Sequence, residues 1–268
     1  MTTNDKLKLV LFDLDGTVYL DGRLIPGATD FFARLDDAGV QYAYMTNNSS
    51  QSPKQYVKKL QTLGLNATPD NILTSCEATL LMLRDLDLGP ELFVLGTGAF
   101  REFLTENGYQ VEAANPKAVL VGFDKELDYD RLTRATRLLT DGVPLVASHP
   151  DMLCPSSEGP LPDAGVLLAA FKAAANAKPI AIAGKPHRWI VSLAREKFKV
   201  ACRNMAVIGD RLATDIRMAN RNKMRSVLVL TGVTKKEELA VGRIQPTLVV
   251  NSIADLAGPS WPGDLGWL

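Results

Sequence analysis

The sequence is short of the residues that build soft-metal sites. It holds two histidines, His149 and His187, and three cysteines, Cys76, Cys154 and Cys202. The cysteines are far apart and in no metal-type spacing, so they are read as reduced thiols of a cytoplasmic protein. A histidine-rich metal centre is excluded. Any metal this chain holds has to be held by oxygen, which favours Mg²⁺. No apolar run approaches the roughly 20 residues of a transmembrane helix. The polar start, Met1 to Lys8, has no h-region, so a signal peptide is not expected. Neither sign of charge is in excess, with 30 basic and 30 acidic residues. That balance points to no nucleic acid and no membrane as partner. No repeat or low-complexity tract interrupts the chain.

What is present is an ordinary globular balance, 46% hydrophobic over 268 residues, enough chain for two domains. Lys8 to Leu14 reads as a strand buried on both faces. It leads into Asp13 and Asp15, two carboxylates at i and i+2, which a strand places on one face. Gly16 permits the tight exit. Like charges so close need a cation, a shared proton, or both.

The rest of the chain alternates strand and helix. A hairpin is expected from Tyr19 to Ile25, turning at Asp21-Gly22. A helix runs from Ala28 to Ala38, a strand from Val40 to Met45, and a helix opens at Ser52-Pro53. Thr74 to Glu77 has capping-box spacing. A second alternation begins near Glu91, with strands at 91–95, 118–121 and 143–147 and helices at 99–107, 130–140 and 167–175. The first pattern resumes with a strand at Pro179 to Ala183. Strands at 205–208, 226–230 and 247–250 follow, with helices between them. Gly96-Thr97-Gly98 lacks the third glycine of a dinucleotide fingerprint and reads as a turn. The tail, with Trp261 and Trp267, is expected to pack on the surface.

These patterns predict an α/β protein with a doubly wound, parallel-sheet, Rossmann-like core formed by residues 1–79 and 180–268. A smaller α/β domain, residues 80–179, is inserted into it. Four strand ends of the core then carry polar groups: Asp13 with Asp15, Thr46 with Asn47, Lys185, and Asp210 with Asp215. In a doubly wound sheet such ends converge on one edge. Carboxylates suit a magnesium ion, while a hydroxyl, a lysine and backbone N–H groups suit a phosphate.

Taken together the motifs resemble the haloacid dehalogenase superfamily. D-x-D-G-T stands at Asp13 to Thr17, the second motif at Thr46-Asn47, the third at Lys185, and the fourth at Gly209-Asp210 with Asp215. The resemblance implies a phosphatase that hydrolyses small phosphate monoesters. Asp13 would be the nucleophile, forming an aspartyl-phosphate, and Asp15 the general acid and then base. Thr46, Asn47 and Lys185 would bind the phosphoryl group. Asp210, with Asp13 and the Asp15 carbonyl, would hold Mg²⁺, and Asp215 would orient the metal's waters or ligate it directly. Asp15 favours phosphatase over dehalogenase, which has no alkoxide to protonate.

The insert lies between the second and third motifs, as in the NagD-like and p-nitrophenylphosphatase-like branch, whose α/β cap sets specificity. That branch implies substrates such as nucleoside monophosphates, sugar phosphates, glycerol phosphate or pyridoxal phosphate, and a possible homodimer. Two cap positions depart from its pattern. His149 replaces asparagine in Ser148-His149-Pro150-Asp151, and Asp163 replaces glycine in Leu161-Pro162-Asp163-Ala164-Gly165. His149 and Asp151 are the candidate specificity residues. The competing functions are a phosphomutase, disfavoured by the cap's position, and a non-catalytic phospho-acceptor or phosphate-binding module. The intact acid and lysine set disfavours the latter.

Overall fold

A computed structural model describes residues 6–156 and 158–256. The tail with Trp261 and Trp267 lies outside the described residues. The chain forms two compact units. Of the described residues, one is built from 6–45, 57–72 and 194–256, the other from 46–56, 73–156 and 158–193.

In chain order the elements are β1 (Leu9–Asp13), β2 (Tyr19–Leu20), β3 (Arg23–Leu24), α1 (Ala28–Asp37), β4 (Gln41–Thr46), α2 (Pro53–Thr62), β5 (Ile72–Thr74) and α3 (Ser75–Asp85). There follow β6 (Leu92–Leu95), α4 (Gly98–Glu106), β7 (Ala118–Val121), α5 (Tyr129–Thr140), β8 (Leu145–Ala147), β9 (Leu153–Cys154), β10 (Leu161–Pro162), α6 (Ala164–Ala175) and β11 (Ala181–Ile182). The chain then makes α7 (Arg188–Phe198), β12 (Met205–Gly209), α8 (Arg217–Arg221), β13 (Arg225–Val229), α9 (Lys236–Val241) and β14 (Leu248–Val250).

The first unit is organised on β1. Every residue of that strand is buried, as its unbroken apolar run requires. The sheet order is β14-β13-β12-β1-β4-β5, and β1 pairs in parallel with both β12 and β4. Helix α1 covers one face by setting Phe31, Phe32 and Leu35 inward. The ring of Phe12 on β1 lies 4.9 Å from Phe32 and 5.7 Å from Phe31, edge to face in both cases. The hairpin β2–β3 turns at Asp21 and Gly22, whose φ angles of 48° and 74° give the left-handed pair that matches strand twist.

The second unit has its own parallel sheet, in the order β11-β8-β7-β6. Its core gathers Phe93, Leu95, Val119, Val121, Leu145 and Ala147 from the sheet with Ala135, Leu139 and Phe171 from α5 and α6. The expected capping box is formed: Thr74 accepts from the Glu77 N–H, and the Glu77 carboxylate accepts from the Thr74 N–H. Thr97 caps α4, so Gly96-Thr97-Gly98 is a helix start.

Two local expectations are corrected. Helix α6 begins at Ala164, three residues before the apolar pattern suggests, because Asp163 caps it. The strand before Lys185 joins β8 in the second unit's sheet, although the alternation groups it with residues 180–268. A two-residue strand carries no mark of the sheet it will enter. The three-residue strand β5 is likewise too short to show a period. Among the described residues no helix is long and apolar enough to cross a membrane.

Candidate active site

Parallel neighbours end on the same edge of a sheet, and that rule assembles the acids of the first unit. The register pairs Phe12 with Ile208, so Asp13 at the end of β1 and Asp210 just past β12 emerge side by side. A one-turn π-helix, Leu212–Ile216, brings Asp215 back to them. One carboxylate oxygen from each of Asp13, Asp210 and Asp215 lies within 4.8 Å of the others. All three residues are buried, Asp210 and Asp215 completely.

The surroundings serve this crowding. Asp210 Oδ2 accepts the Val233 N–H at 2.7 Å. A Cβ on Gly232 would stand 1.9 Å from that oxygen, so only glycine allows the approach. Asp215 Oδ2 accepts the Arg211 N–H at 3.3 Å and the Thr214 hydroxyl at 3.2 Å. Asp210 Oδ1 is buried with no hydrogen-bond partner. Burial first, then the charges of Asp13 and Asp215, raise the Asp210 carboxyl well above the usual carboxylate range. An orphaned oxygen among three buried acceptor-only groups is the donor set that a hard cation with oxygen ligands completes.

The Asp15 side chain is engaged elsewhere. Its Oδ2 accepts the Tyr19 hydroxyl at 3.1 Å, and Tyr19 in turn accepts from Lys59 Nζ at 2.9 Å. Lys59 Nζ also stands 4.1 Å from the centre of the Tyr19 ring. Sequence reasoning missed Tyr19 and Lys59. Tyr19 follows Asp15 by four residues, but nothing in the pattern joins Lys59 to either.

In the second unit Asn47 is a hub. Its Oδ1 accepts the Lys185 N–H at 2.7 Å, and its Nδ2 donates to the Lys185 carbonyl at 3.0 Å and to Asp151 Oδ1 at 3.1 Å. The Asn47 carbonyl accepts the Ser75 hydroxyl at 2.6 Å. Thr46 Oγ1 accepts the Asn48 N–H at 3.2 Å. Thr46, Asn47 and Lys185 are each under 5% exposed. A Cβ on Gly184 would come 2.4 Å from Asn47 Oδ1, which accounts for the glycine before Lys185.

The two positions that depart from the branch pattern bond to each other. His149 Nε2 lies 2.9 Å from Asp163 Oδ1, and both side chains are buried. Cys76 is buried and its thiol is pushed up by that burial, so it is inert packing. Cys202 is only half-buried.

Known proteins share this plan. The haloacid dehalogenase-like hydrolase model matches residues 10–110, and a second HAD-hydrolase-like model matches residues 182–256. A dihydroxyacetone phosphatase of Corynebacterium glutamicum is 33% identical over 92% of this chain and 90% of its own length. A 5'-nucleotidase of Bacillus subtilis is 31% identical over 91% of this chain and 95% of its own. Among solved structures, a 4-nitrophenylphosphatase of Thermotoga maritima matches with a TM-score of 0.89 at 40% identity, covering 94% of this chain and 97% of that one. NagD from E. coli K-12 matches with a TM-score of 0.84 at 28% identity, covering 93% of this chain and 98% of that one.

Proposed function

The chain belongs to the haloacid dehalogenase-like hydrolases, in their NagD-like and p-nitrophenylphosphatase-like branch, and from that membership we propose a Mg²⁺-dependent hydrolysis of small phosphate monoesters through an aspartyl-phosphate. The observation that carries the metal-dependent reading is the buried group Asp13, Asp210 and Asp215 with its one oxygen left unbonded.

In this reading Asp13 attacks phosphorus, an O–P bond forms, and the ester O–P bond breaks. Asp15 gives its proton to the departing oxygen and then takes one from the water that cleaves the aspartyl-phosphate. Inorganic phosphate leaves and Asp13 is regenerated. The Tyr19 hydroxyl, itself held by Lys59, fixes the rotamer of Asp15 for both transfers. Thr46, the Asn47 N–H and Lys185 bind the phosphoryl oxygens, and Lys185 neutralises their charge. Asp13, the Asp15 carbonyl, Asp210 and Asp215 would hold Mg²⁺. The bound ion would supply positive charge where the phosphoryl oxygens gather it.

Residues 80–179 are proposed as the cap that sets specificity, with Asp151 reading the leaving group and His149 beside it. Three-carbon, sugar and nucleoside phosphates are the substrate classes that the relatives' names suggest. Three free cysteines accord with a cytoplasmic location, and a homodimer is tested by sedimentation.

The deciding experiment measures phosphate release from p-nitrophenyl phosphate and a panel of small monoesters in Mg²⁺. The reading expects turnover that EDTA abolishes and that Asp13→Asn reduces to background. Full turnover in EDTA would remove the metal, and an active Asp13→Asn would remove the nucleophile. Asp151→Ala is expected to reorder the panel, and an unchanged order would remove its assigned role.

A further inference from the structure

The bond-making steps of the proposed chemistry do not involve one buried polar cluster of the second unit, the one around His149 and Asp163. His149 is fully buried and Asp163 is 4% exposed. A carboxylate only accepts, so His149 Nε2, 2.9 Å from Asp163 Oδ1, carries the proton. The other ring nitrogen lies 2.7 Å from Ser148 Oγ, which is 3.1 Å from Ser49 Oγ. Ser49 Oγ in turn accepts the Phe123 N–H at 2.9 Å. Asp163 Oδ1 also accepts the Ala164 N–H at 2.6 Å, which ties the network to the first turn of α6.

That turn grips the loop behind Asp151. The Asp163 N–H donates to the Met152 carbonyl at 3.0 Å, and the Gly165 N–H to the Asp151 carbonyl at 2.8 Å. A Cβ on Gly165 would sit 2.5 Å from the Pro150 carbonyl oxygen and 2.8 Å from that of Asp151. The side chain of Asp151, held from behind in this way, accepts from Asn47 Nδ2 at 3.1 Å.

We infer that His149 and Asp163 form a positioning pair that locks the loop 148–152 in the one conformation that presents the Asp151 carboxylate to Asn47, and that the pair thereby sets the enzyme's substrate ranking. The inference rests on the proposed reading of Asp151. A buried hydrogen-bonded pair suits this task because breaking it strands a buried polar group, so alternative loop conformations are costly. His149, Asp151 and Asp163 also lie close enough to share an ion. Both ring nitrogens already have partners, however, and Asp163 Oδ1 serves two donors. The network is complete as it stands, which favours positioning over metal ligation.

The test compares kcat and KM over p-nitrophenyl phosphate, a triose phosphate, a hexose phosphate and a nucleoside 5'-monophosphate for the parent, Asp163→Ala, Asp163→Asn, Asp151→Ala and the double Ala variant. Loss of about one net hydrogen bond should raise KM on the best substrate about tenfold in Asp163→Ala, with kcat on p-nitrophenyl phosphate within about threefold of the parent. Asp163→Asn keeps an oxygen acceptor for both donors and should restore the parent's ranking. The double variant should rank substrates as Asp151→Ala does. Should Asp163→Ala fail to fold, His149→Asn removes the ring nitrogen that meets Asp163 and so breaks the same contact while leaving the helix cap.

Amide hydrogen exchange at Gly165 supplies a readout independent of turnover. It should speed up about tenfold or more in Asp163→Ala or His149→Asn, because the bond to the Asp151 carbonyl then opens locally. Unchanged exchange, a parent-like ranking in Asp163→Ala where Asp151→Ala reorders the panel, or multiplying effects in the double variant would each overturn the inference. A parent that releases no phosphate from any monoester would overturn the proposed function instead, and the exchange result would still judge the pair.

Discussion

Asp210 carries the sharpest conflict at the scale of one residue. Its carboxyl is buried beside two other acids, and those causes raise its folded pKa above the unfolded value. The folded state therefore binds more protons there than the unfolded state does. Stability from this group falls as pH rises from the ordinary carboxylate range through the raised value. Asparagine at 210 keeps an acceptor for the Val233 N–H and removes the charge. In EDTA, Asp210→Asn is expected to melt above the parent at pH 8, with the gap closing on acidification. Added Mg²⁺ should reverse the order, because only the parent gains stability by binding the ion. Calorimetry at pH 5 and pH 8, with and without Mg²⁺, checks this, and a gap that ignores pH would refute it. The residue types at this site were legible in the sequence through D-x-D-G-T and Gly209-Asp210. The stranded oxygen and the Tyr19–Lys59 contact were not, because each depends on side chains from segments far apart in the chain.

The start of α6 shows what a single turn of helix can do. Its first residues cap the helix through Asp163, hold two loop carbonyls, and meet His149. Gly165 stands at the closest approach, and Gly165→Ala puts a methyl group inside contact distance of two backbone oxygens. Overpacking of this kind costs about 1–3 kcal/mol. The variant should lose stability in that range by urea titration and reorder the monoester panel as Asp151→Ala does. Parent-like stability would show that the loop yields freely. The apolar pattern put the helix start at Leu167, since Ala164 and Gly165 carry too little hydrophobic signal to mark a buried face. The capping boundary comes from Asp163, whose role depends on the His149 contact as much as on local sequence.

Across the whole molecule, two parallel sheets hold separate cores. Phe171 is buried in the second unit's cluster with Phe93, Val119 and Leu145. Phe171→Ala should cost about 3–5 kcal/mol where it is felt. Amide exchange should rise in β6, β7 and β8, while β1, β12 and β13 keep parent rates. An equal rise in all six strands would show that the two cores unfold as one. Sequence alternation placed the helices and the longer strands of both units but not the short strands β5, β9 and β10, because apolar periodicity and caps are local and need several residues to show. It assigned the short strand before Lys185 by order along the chain, whereas pairing with β8 is settled by register.

By itself the sequence determined the α/β class, the buried central strand β1 and the four strand-end motifs that mark the family. These follow from composition, period and spacing, which act over a few residues at a time. Only the tertiary structure decided which sheet receives β11, that Asn47 ties Lys185 to Asp151, and that His149 and Asp163 answer each other. Such pairings join residues many positions apart, and their partners are chosen by packing and by the need of every buried polar group for a bond.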